Sequence, residues 1–459
     1  MAVAATPTRD AVARPMTKEE RKVILASSLG TIFEWYDFYL YGTLAVIIGR
    51  QFFSAFDPNT QAIFALLAFA AGFLVRPFGA LVFGRLGDLV GRKYTFLITI
   101  LIMGASTFIV GLLPSYATIG IAAPILLVAL RLVQGFGAGA EIAGATVMLA
   151  EYAPVRRRGV IASLVSLGTN SGTLAASALW VFLLGVLSEE QLLSWGWRLP
   201  FLLSFILLIF AVWLRMNLKE SPVFEERPDV VDGVALSRAE VEKKAAATEA
   251  SVLEAGLKQR KGKAFFLALG LRFGQAGNSG LVQTFLVGYI ATALAVNRSV
   301  PTQAIVWGSL LGFVTVPVVG LLGDRFGRRP IYMALSALTI VAAFPLMLMI
   351  TSGNTLLLEI GMIIALNIGV LGLFSLESVT MAELFGSRNR FTQLALAKEI
   401  GGILATAIGP VLAATLTAVT GSWWPIAAML VVYSIITLVS AWFAPETRGR
   451  DLVRLEDAA

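Results

Sequence analysis

The chain has 459 residues, of which 57% are hydrophobic and 14% charged, and its formal net charge is +7. Because a soluble protein carries about 25% charged residues, this composition indicates an integral membrane protein. The chain contains neither cysteine nor histidine, which excludes thiol and histidine catalysis and nearly every zinc, copper or non-haem iron site. No sequence feature supports an enzyme, and we expect no metal and no organic cofactor.

Long apolar stretches define the predicted elements, since a helix needs about 20 residues to cross a hydrocarbon core of about 30 Å. We number the stretches spans 1 to 12 and expect an all-α integral membrane fold. In chain order they are Val23 to Ile48, Thr60 to Gly84, Tyr94 to Leu112, Ile119 to Ala150, Gly159 to Leu187, Leu199 to Met216, Ala264 to Leu294, Gln303 to Gly323, Ile331 to Thr351, Leu356 to Leu384, Thr392 to Val419 and Trp424 to Phe443.

A glycine-rich basic loop occurs twice, after span 2 and after span 8. The copies are Gly84-Arg-Leu-Gly-Asp88-Leu-Val-Gly91-Arg92-Lys93 and Gly320-Leu-Leu-Gly-Asp324-Arg325-Phe-Gly327-Arg328-Arg329. The ends of spans 4 and 10 also match, because Glu151 precedes Arg158 by the interval that separates Glu383 from Arg390. This duplication predicts two related six-helix bundles with a cavity between them near the membrane midplane. We expect the twin loops, together with Glu151 and Glu383, to pair across the bundle ends and hold one conformation.

The distribution of basic residues predicts the orientation. If the N-terminus is cytoplasmic, the cytoplasmic side holds the twin loops, Arg156 to Arg158 and most other basic residues, and the opposite side keeps only Arg50, Arg198 and Arg298. Both termini are therefore expected in the cytoplasm of a multi-pass plasma-membrane protein, with a bacterial inner membrane as the expected location. Since the basic residues lie at the span ends, we expect no nucleic-acid partner.

Five regions follow from this reading. They are a cytoplasmic N-terminal tail at 1–22, an N-terminal bundle at 23–216, a cytoplasmic linker at 217–263, a C-terminal bundle at 264–443 and a cytoplasmic tail at 444–459. In the linker, Ser237-Arg-Ala-Glu240 is typical of a capping box and predicts a surface helix to about Leu257. We expect span 1 to remain in the protein, because no small-residue cleavage site follows it.

Charged residues inside the spans are candidate functional groups, because an isolated charge at the bilayer centre costs roughly 2.5 to 3.5 kcal/mol. The candidates are Glu34, Asp37, Arg76, Arg131, Glu141, Arg272, Glu377, Lys398 and Glu399. Glu34 and Asp37 share one helix face. Two carboxylates in a low dielectric cannot both ionise cheaply, so one of them is expected to hold a proton near neutral pH. The alternative is that both form permanent ion pairs with arginines such as Arg76 or Arg131.

Spans 4 and 7 supply the predicted substrate-binding groups. In span 4, Arg131 offers a guanidinium fork for a carboxylate, with Gln134 and Glu141 further along the helix. A permanent ion pair of Arg131 is equally compatible with the sequence. In span 7 we expect Arg272 to bind an anion and Gln275 and Asn278 to line the cavity, unless this face serves close helix packing.

Two further features of the spans each allow two interpretations. Trp35 lies deep enough in span 1 to stack on a substrate, although packing remains an alternative. Lys398 and Glu399 are either a self-compensating pair or part of the cavity lining.

These motifs resemble the major facilitator superfamily, and more closely its metabolite:proton symporter family. The duplicated loop is similar to the signature G-x-x-x-D-R-x-G-R-K/R, with Leu89 where Arg or Lys is usual, a change expected to weaken one loop ion pair. Further similar motifs are Glu34-Trp-Tyr-Asp37-Phe38, Arg76-Pro77, Arg131-Leu-Val-Gln134-Gly135, Trp195-Gly-Trp197-Arg198-Leu-Pro200-Phe201 and Glu220-Ser-Pro222-Val-Phe224. One departure is Gly139-Ala140-Glu141-Ile142, where members often have an aromatic residue after the glutamate. The substrates of known members can therefore not be assigned to this chain.

The resemblance implies the major facilitator fold and a carrier that works by alternating access. We predict proton-coupled uptake of a small metabolite, either a carboxylate or a zwitterionic osmolyte, by a monomer in the lipid bilayer. Glu34 and Asp37 are the predicted proton-coupling residues. A proton-coupled exporter or antiporter would use the same groups, and a membrane sensor that has lost transport would keep the fold.

Overall fold

The computed structural model describes residues 18–56, 58–139, 141–217, 230–231, 234–235, 262–286, 289–290, 294, 296, 299–387, 390–454 and 457–458. Most of the predicted N-terminal tail and of the central linker lies outside the described residues, and so do the predicted capping box at Ser237 and the basic residues Arg298 and Arg388.

The first half of the chain forms spans 1 to 6. Their helices are Lys18–Phe52, Pro58–Val90, Arg92–Leu112, Ala122–Ala138 with Glu141–Tyr152, Arg158–Val186 and Leu199–Met216. Short helices at Tyr116–Ile119 and Glu189–Ser194, and 3₁₀ turns at Val155–Arg157 and Gly196–Arg198, connect them. The helices of spans 1 and 2 extend past the apolar runs that predicted them, because their polar ends can be solvated outside the hydrocarbon region.

The second half forms spans 7 to 12. Their helices are Lys263–Ser279 with the π-helical Gly280–Phe285, Ser299–Phe326, Arg328–Ile350, Thr355–Ala365 with the π-helical Leu366–Gly372 and Leu373–Leu384, Arg390–Gly402 with the π-helical Ile403–Ala407 and Ile408–Thr420, and Trp424–Phe443. Between the halves, strands Val230–Val231 and Val234–Ala235 pair antiparallel. The predicted all-α fold of two six-helix bundles is confirmed.

The surface is apolar and the interior holds the charges. Phe78, Val341 and Val419 are 66%, 74% and 80% exposed, whereas Glu34, Arg131 and other span charges are buried. Eight helical stretches in the described part of the chain are each long and apolar enough to cross a membrane. An apolar surface with charged residues inside is expected of a bundle that is surrounded by lipid and has a polar centre.

The twin loops have the same backbone conformation. Gly91 has φ 107° and ψ 162°, and Gly327 has φ 108° and ψ 160°. Each glycine begins the next helix in a conformation that side chains rarely adopt, so glycine is required at both positions. The sequence duplication is therefore matched in three dimensions.

An apolar cluster joins the halves at the end that carries the twin loops, which we call the basic end. Phe83 and Val147 from the first half and Leu376 and Leu394 from the second half belong to this one buried cluster. The halves therefore adhere at the basic end. The described C-terminal residues add to this contact, since Leu452 is buried and the carbonyl of Arg454 accepts a hydrogen bond from Ser387 N at 2.8 Å.

Spans 2 and 4 approach closely enough that their backbones touch. A Cβ atom added at Gly135 would overlap the carbonyl oxygen of Gly72, and one added at Gly139 would overlap that of Arg76. Small residues permit such close packing between membrane helices. This crossing fixes the position of Arg76 on span 2 relative to the polar residues of span 4.

The crossing of spans 2 and 4 generates a stability prediction. Gly135→Ala should destabilise the protein by about 1–3 kcal/mol, because the new methyl group meets rigid backbone. A lowered unfolding temperature of the purified protein in detergent would register this loss. Gly308→Ala is the matched control, since its Cβ would meet only the movable side-chain end of Leu366. Equal unfolding temperatures for both variants would contradict this packing.

Candidate functional site

Two adjoining cavities lie in the polar interior, one within the first half and one between the halves. The N-half cavity, of about 370 Å³, is lined by residues of spans 1 to 4 that include Glu34, Asp37, Arg131 and Gln134. The central cavity, of about 630 Å³, is lined by both halves. The two cavities share the lining residues Glu34, Phe38, Phe73 and Arg76, so they lie side by side.

Asp37 lies in a closed hydrogen-bonded group at the N-half cavity. Its Oδ2 accepts from Arg131 NH1 at 3.0 Å, and its Oδ1 accepts from Thr107 Oγ1 at 3.0 Å. Gln134 completes the group, since it accepts from Arg131 at 2.6 Å and donates to Thr107 at 2.8 Å. The Arg131 guanidinium also lies 4.0 Å from the centroid of the Tyr41 ring. The charges of Asp37 and Arg131 therefore balance one to one.

Arg76 connects the two halves inside the cavity. Its guanidinium pairs with Glu34 of span 1, and its Nε donates to Glu399 Oε2 of span 11 at 2.8 Å. The side chains of Arg76 and Glu399 are 10% and 11% exposed, so the bridge is largely shielded from solvent. One cation is thus shared by two carboxylates that belong to different halves.

A third charged group lies on the opposite wall of the central cavity. Glu377 of span 10 pairs with Arg272 NH1 at 3.1 Å and with Lys398 Nζ at 2.7 Å. Gln275 accepts a hydrogen bond from Arg272. Here two cations share one carboxylate, which leaves this wall with an excess positive charge.

Aromatic rings form the remaining wall of the central cavity. Trp35, Phe38 and Phe73 line it. The Phe38 ring centroid lies 5.2 Å from that of Trp35 and 5.5 Å from that of Phe73. Trp35 is therefore at the cavity, although its role in binding a substrate stays a prediction.

Two of the predicted substrate-binding residues lie elsewhere. Glu141 is fully buried and pairs with Arg215 of span 6, and it accepts a hydrogen bond from Thr99 at 2.9 Å. Asn278 donates to the carbonyl of Gly369 at 3.2 Å and lines a separate space within the second half. Neither residue is among those that line the N-half or central cavity. We therefore leave both out of the proposed site, because neither lines it.

Sequence reasoning missed several members of the site. Thr107, Tyr41 and Phe73 carried no signal beyond their position in apolar spans. Arg215 could have been found from the sequence, because a carboxylate at the depth of Glu141 requires a cationic partner on a neighbouring span. The buried face of span 6, with Arg215 in its last turn, met that requirement.

The aspartates of the twin loops each cap a helix of the other half. Asp88 accepts hydrogen bonds from the backbone N–H groups of Phe391 and Thr392, at 3.2 and 2.9 Å, at the start of span 11. Asp324 accepts from Gly159 N and Val160 N, at 2.8 and 3.0 Å, at the start of span 5. Carboxylates at helix N-termini are stabilised by unpaired N–H groups and the helix dipole. Each half thus caps one helix of the other half with the aspartate of its own loop.

The repeated glutamate and arginine pairs also exchange partners between the halves. Arg390 pairs with Glu151 at 2.9 Å, and Arg158 pairs with Glu383 at 3.2 Å. Glu383 also binds Arg328 at 3.1 Å and Thr447 at 2.9 Å. These contacts join the two halves at the basic end.

One expectation about the loops does not match the structure. Leu89 was expected to weaken a loop ion pair, but the equivalent Arg325 of the second copy is exposed, with its guanidinium 5.3 Å from the Phe326 ring centroid. The loop ion pair is made by Arg328 with Asp324 at 2.7 Å. The residue equivalent to Arg328 in the first copy is Arg92, whose side chain lies outside the described part.

A sequence profile of the family "Sugar (and other) transporter" matches residues 22–458. The chain is 48% identical over 426 residues to "Putative transporter YdfJ" of Escherichia coli (strain K12), covering 92% of this chain and 96% of that protein. It is 35% identical over 441 residues to the "Proline/betaine transporter" of Salmonella typhimurium, covering 96% and 86%. The solved proton:xylose symporter XylE, bound to 6-bromo-6-deoxy-D-glucose, aligns with a TM-score of 0.76 at 16% identity over 95% of this chain and 98% of that one, which supports the fold alone.

Fold, duplicated loops and a charged cavity between two bundles define a multi-pass membrane transporter rather than an enzyme. The chain belongs to the sugar (and other) transporter family of the major facilitator superfamily. The resemblance drawn from its motifs is thereby confirmed.

The reciprocal contacts at the basic end generate an accessibility prediction. Because the chain has no cysteine, Ser279→Cys in the central cavity provides a single reporter. Adding Glu383→Gln leaves the buried Arg158 and Arg328 short of a counter-charge, a loss that typically costs about 3–5 kcal/mol. Labelling by a membrane-impermeant maleimide from the basic-end side should rise at least about tenfold.

The control for this experiment is Glu359→Gln, a carboxylate of span 10 that is far along the chain from the basic end and lines neither cavity. It should label like the parent carrying Ser279→Cys alone. Equal labelling of the Glu383→Gln protein and this control would contradict a closure that depends on Glu383.

Proposed function

We propose that this protein takes up a small carboxylate-bearing metabolite together with protons, by alternating access of the adjoining cavities to the two membrane faces. The arrangement of buried charge is the observation that carries the proposal. Seven charged side chains line the two adjoining cavities: Glu34, Asp37, Glu399, Arg76, Arg131, Arg272 and Lys398. An eighth, Glu377, pairs with Arg272 and Lys398. Such a concentration of charge at bilayer depth is costly, and transport is the function that accounts for it.

The substrate site is the wall formed by Arg272 and Lys398. These two cations share Glu377, so a carboxylate would find uncompensated positive charge there. Gln275 adds a neutral amide, and the rings of Trp35 and Phe73 offer an apolar face for the rest of the molecule. The name of the proline/betaine relative is in line with this chemistry, because proline and betaine each carry a carboxylate.

Arg131 and Gln134 are proposed here to hold Asp37, whereas the sequence predicted them to bind the substrate. They are already engaged with Asp37 and Thr107. A substrate carboxylate would have to share Arg131 with Asp37, because NH1 is engaged and only Nε and NH2 have no hydrogen-bond partner among the described residues. We therefore place them beside the site, as the groups that hold Asp37, one of the two candidate proton-coupling residues with Glu34.

The contacts at the basic end fit the role of a gate. With these ends joined and the cytoplasm on their side, the conformation described would be closed toward the cytoplasm. We place both termini in the cytoplasm of a bacterial inner membrane, on the basis of the basic residues at the span ends. Since the cavity is formed within one chain, we propose that a monomer transports.

Transport in liposomes tests the proposal. Purified protein would be reconstituted and given radiolabelled proline, glycine betaine and a panel of organic acids, with and without an inward proton gradient. Accumulation of a carboxylate that requires the gradient is the expected result. Accumulation driven in the opposite sense would indicate an exporter or antiporter, and specific binding without flux would indicate a sensor. Either result would overturn proton-coupled uptake.

Arg272 generates a prediction about binding. Arg272→Gln should raise the Km for a carboxylate substrate by about 10- to 100-fold, because hydrogen bonds to charged groups contribute about 1.5–3 kcal/mol. Initial uptake rates at varied substrate concentration would measure this. Lys263→Gln is the matched control, since Lys263 is exposed at the start of the same span. An unchanged Km for Arg272→Gln would remove Arg272 from the site.

A further inference from the structure

We infer that the coupling proton binds to the carboxylate pair Glu34 and Glu399, which share Arg76, and that this proton weakens the bridge between the two halves inside the cavity. The inference rests on the proposed function and assigns its proton site. It gives a direct role in transport to Glu399, which the sequence allows either as half of a self-compensating pair with Lys398 or as part of the cavity lining.

The first argument is the charge of each group. Arg76 remains protonated in proteins, so the group with Glu34 and Glu399 carries one net negative charge when both acids are ionised. One proton makes it neutral. The Asp37 and Arg131 pair is already neutral, and both Asp37 oxygens accept hydrogen bonds. A proton is therefore better accommodated by the pair at Arg76 than by Asp37.

The second argument is an oxygen atom without a donor. Glu34 Oε2 is buried and has no hydrogen-bond partner among the described residues. An ionised carboxylate oxygen in this position loses its hydration without compensation. A proton on the Glu34 and Glu399 pair removes one of its two negative charges, so the burial of this oxygen becomes less costly.

The third argument links the proton to the substrate. The group of Arg272, Lys398 and Glu377 carries one net positive charge, and its two cations line the same cavity as the negatively charged group at Arg76. With Asp37 and Arg131 neutral, the three groups sum to zero. A carboxylate alone would make the cavity negative and a proton alone would make it positive, whereas both together leave it neutral. Each should therefore promote the binding of the other.

The surroundings of Glu399 agree with this assignment. The charged groups that line the same cavity as Glu399 are Arg76 of span 2, Glu34 of span 1, Arg272 of span 7 and Lys398, the neighbour of Glu399 in the chain. Glu377 of span 10 pairs with Arg272 and Lys398 and does not line this cavity. On span 4, Glu141 is already paired with Arg215. Lys398 is directed to Glu377 rather than to Glu399, so Arg76 is the cation that an ionised Glu399 must share.

The bridge also has a mechanical consequence. Arg76 is on span 2 and Glu399 is on span 11, and the same two helices meet at the basic end through Asp88 and Thr392. A proton on Glu399 replaces an ion pair by a weaker hydrogen bond between the Arg76 cation and an uncharged carboxyl group. Protonation would thus loosen the contact of spans 2 and 11 within the cavity, and deprotonation would restore it.

The pH dependence of binding tests this inference. For the wild-type protein, the Kd of a transported carboxylate should rise about tenfold for each pH unit above the protonation midpoint, if one proton enters with each anion. Glu399→Gln fixes the group formed with Arg76 and Glu34 at zero net charge. The Kd of this variant for the carboxylate should therefore change less than about twofold over the same pH range. The variant should retain counterflow but lose accumulation driven by a proton gradient. Glu359→Gln, the control carboxylate of span 10, should behave as wild type.

The outcomes separate the inference from the proposed function. If wild-type protein shows no proton-driven accumulation, the proposed function fails and the inference fails with it. If wild-type protein accumulates substrate and Glu399→Gln keeps both accumulation and pH-dependent binding, only the inference is overturned. Loss of pH dependence in Asp37→Asn, with retention in Glu399→Gln, would assign the proton to Asp37 and would likewise overturn it.

A second variant protects the test against a folding defect. Glu34→Gln removes the other carboxylate of the pair but keeps the bridge from Arg76 to Glu399. If Glu399→Gln does not yield folded protein, Glu34→Gln should show the same loss of pH-dependent binding. Persistence of that dependence in Glu34→Gln would overturn the inference.

Discussion

Burying a charge in a membrane protein is tolerable only when a partner and further hydrogen bonds compensate it, and this constraint organises the whole molecule. Every charge group at the cavity is held by residues from more than one span, as Arg76 is by spans 1 and 11. Removing one partner leaves a buried charge without compensation, which is costly. A bundle stabilised in this way is rigid within each half. Exchanging a shared ion pair between the halves for another therefore has a large effect on the free energy of the conformation.

The duplicated sequence makes these shared contacts reciprocal. Asp88 and Asp324 each cap a helix of the opposite half, and Glu151 and Glu383 each accept an arginine from across the interface. Contacts of this kind can break and re-form as a set, because they lie at one end of the bundles. Interactions inside the cavity differ, since the groups there are unequally charged and leave room for a solute and a proton.

Much of the fold could be predicted because membrane spans are long apolar runs and the twin loops repeat. The bounds of Leu199–Met216 and Trp424–Phe443 follow the apolar runs closely. The charged residues of the cavity could also be predicted, since charge at bilayer depth is rare. Their pairing could not be, because it depends on which helices face each other: Glu141 finds Arg215 instead of a substrate, and Arg76 finds Glu399 across 323 residues of chain.

The central claim is that ion pairs between the halves break and re-form as the carrier alternates. The distance between Val90 and Phe326, equivalent exposed positions in the two loops, reports this directly when both are changed to cysteine, spin-labelled and measured by double electron–electron resonance. The account predicts two distance populations, with substrate at low pH shifting their ratio. A single distance that neither substrate nor pH alters would contradict it.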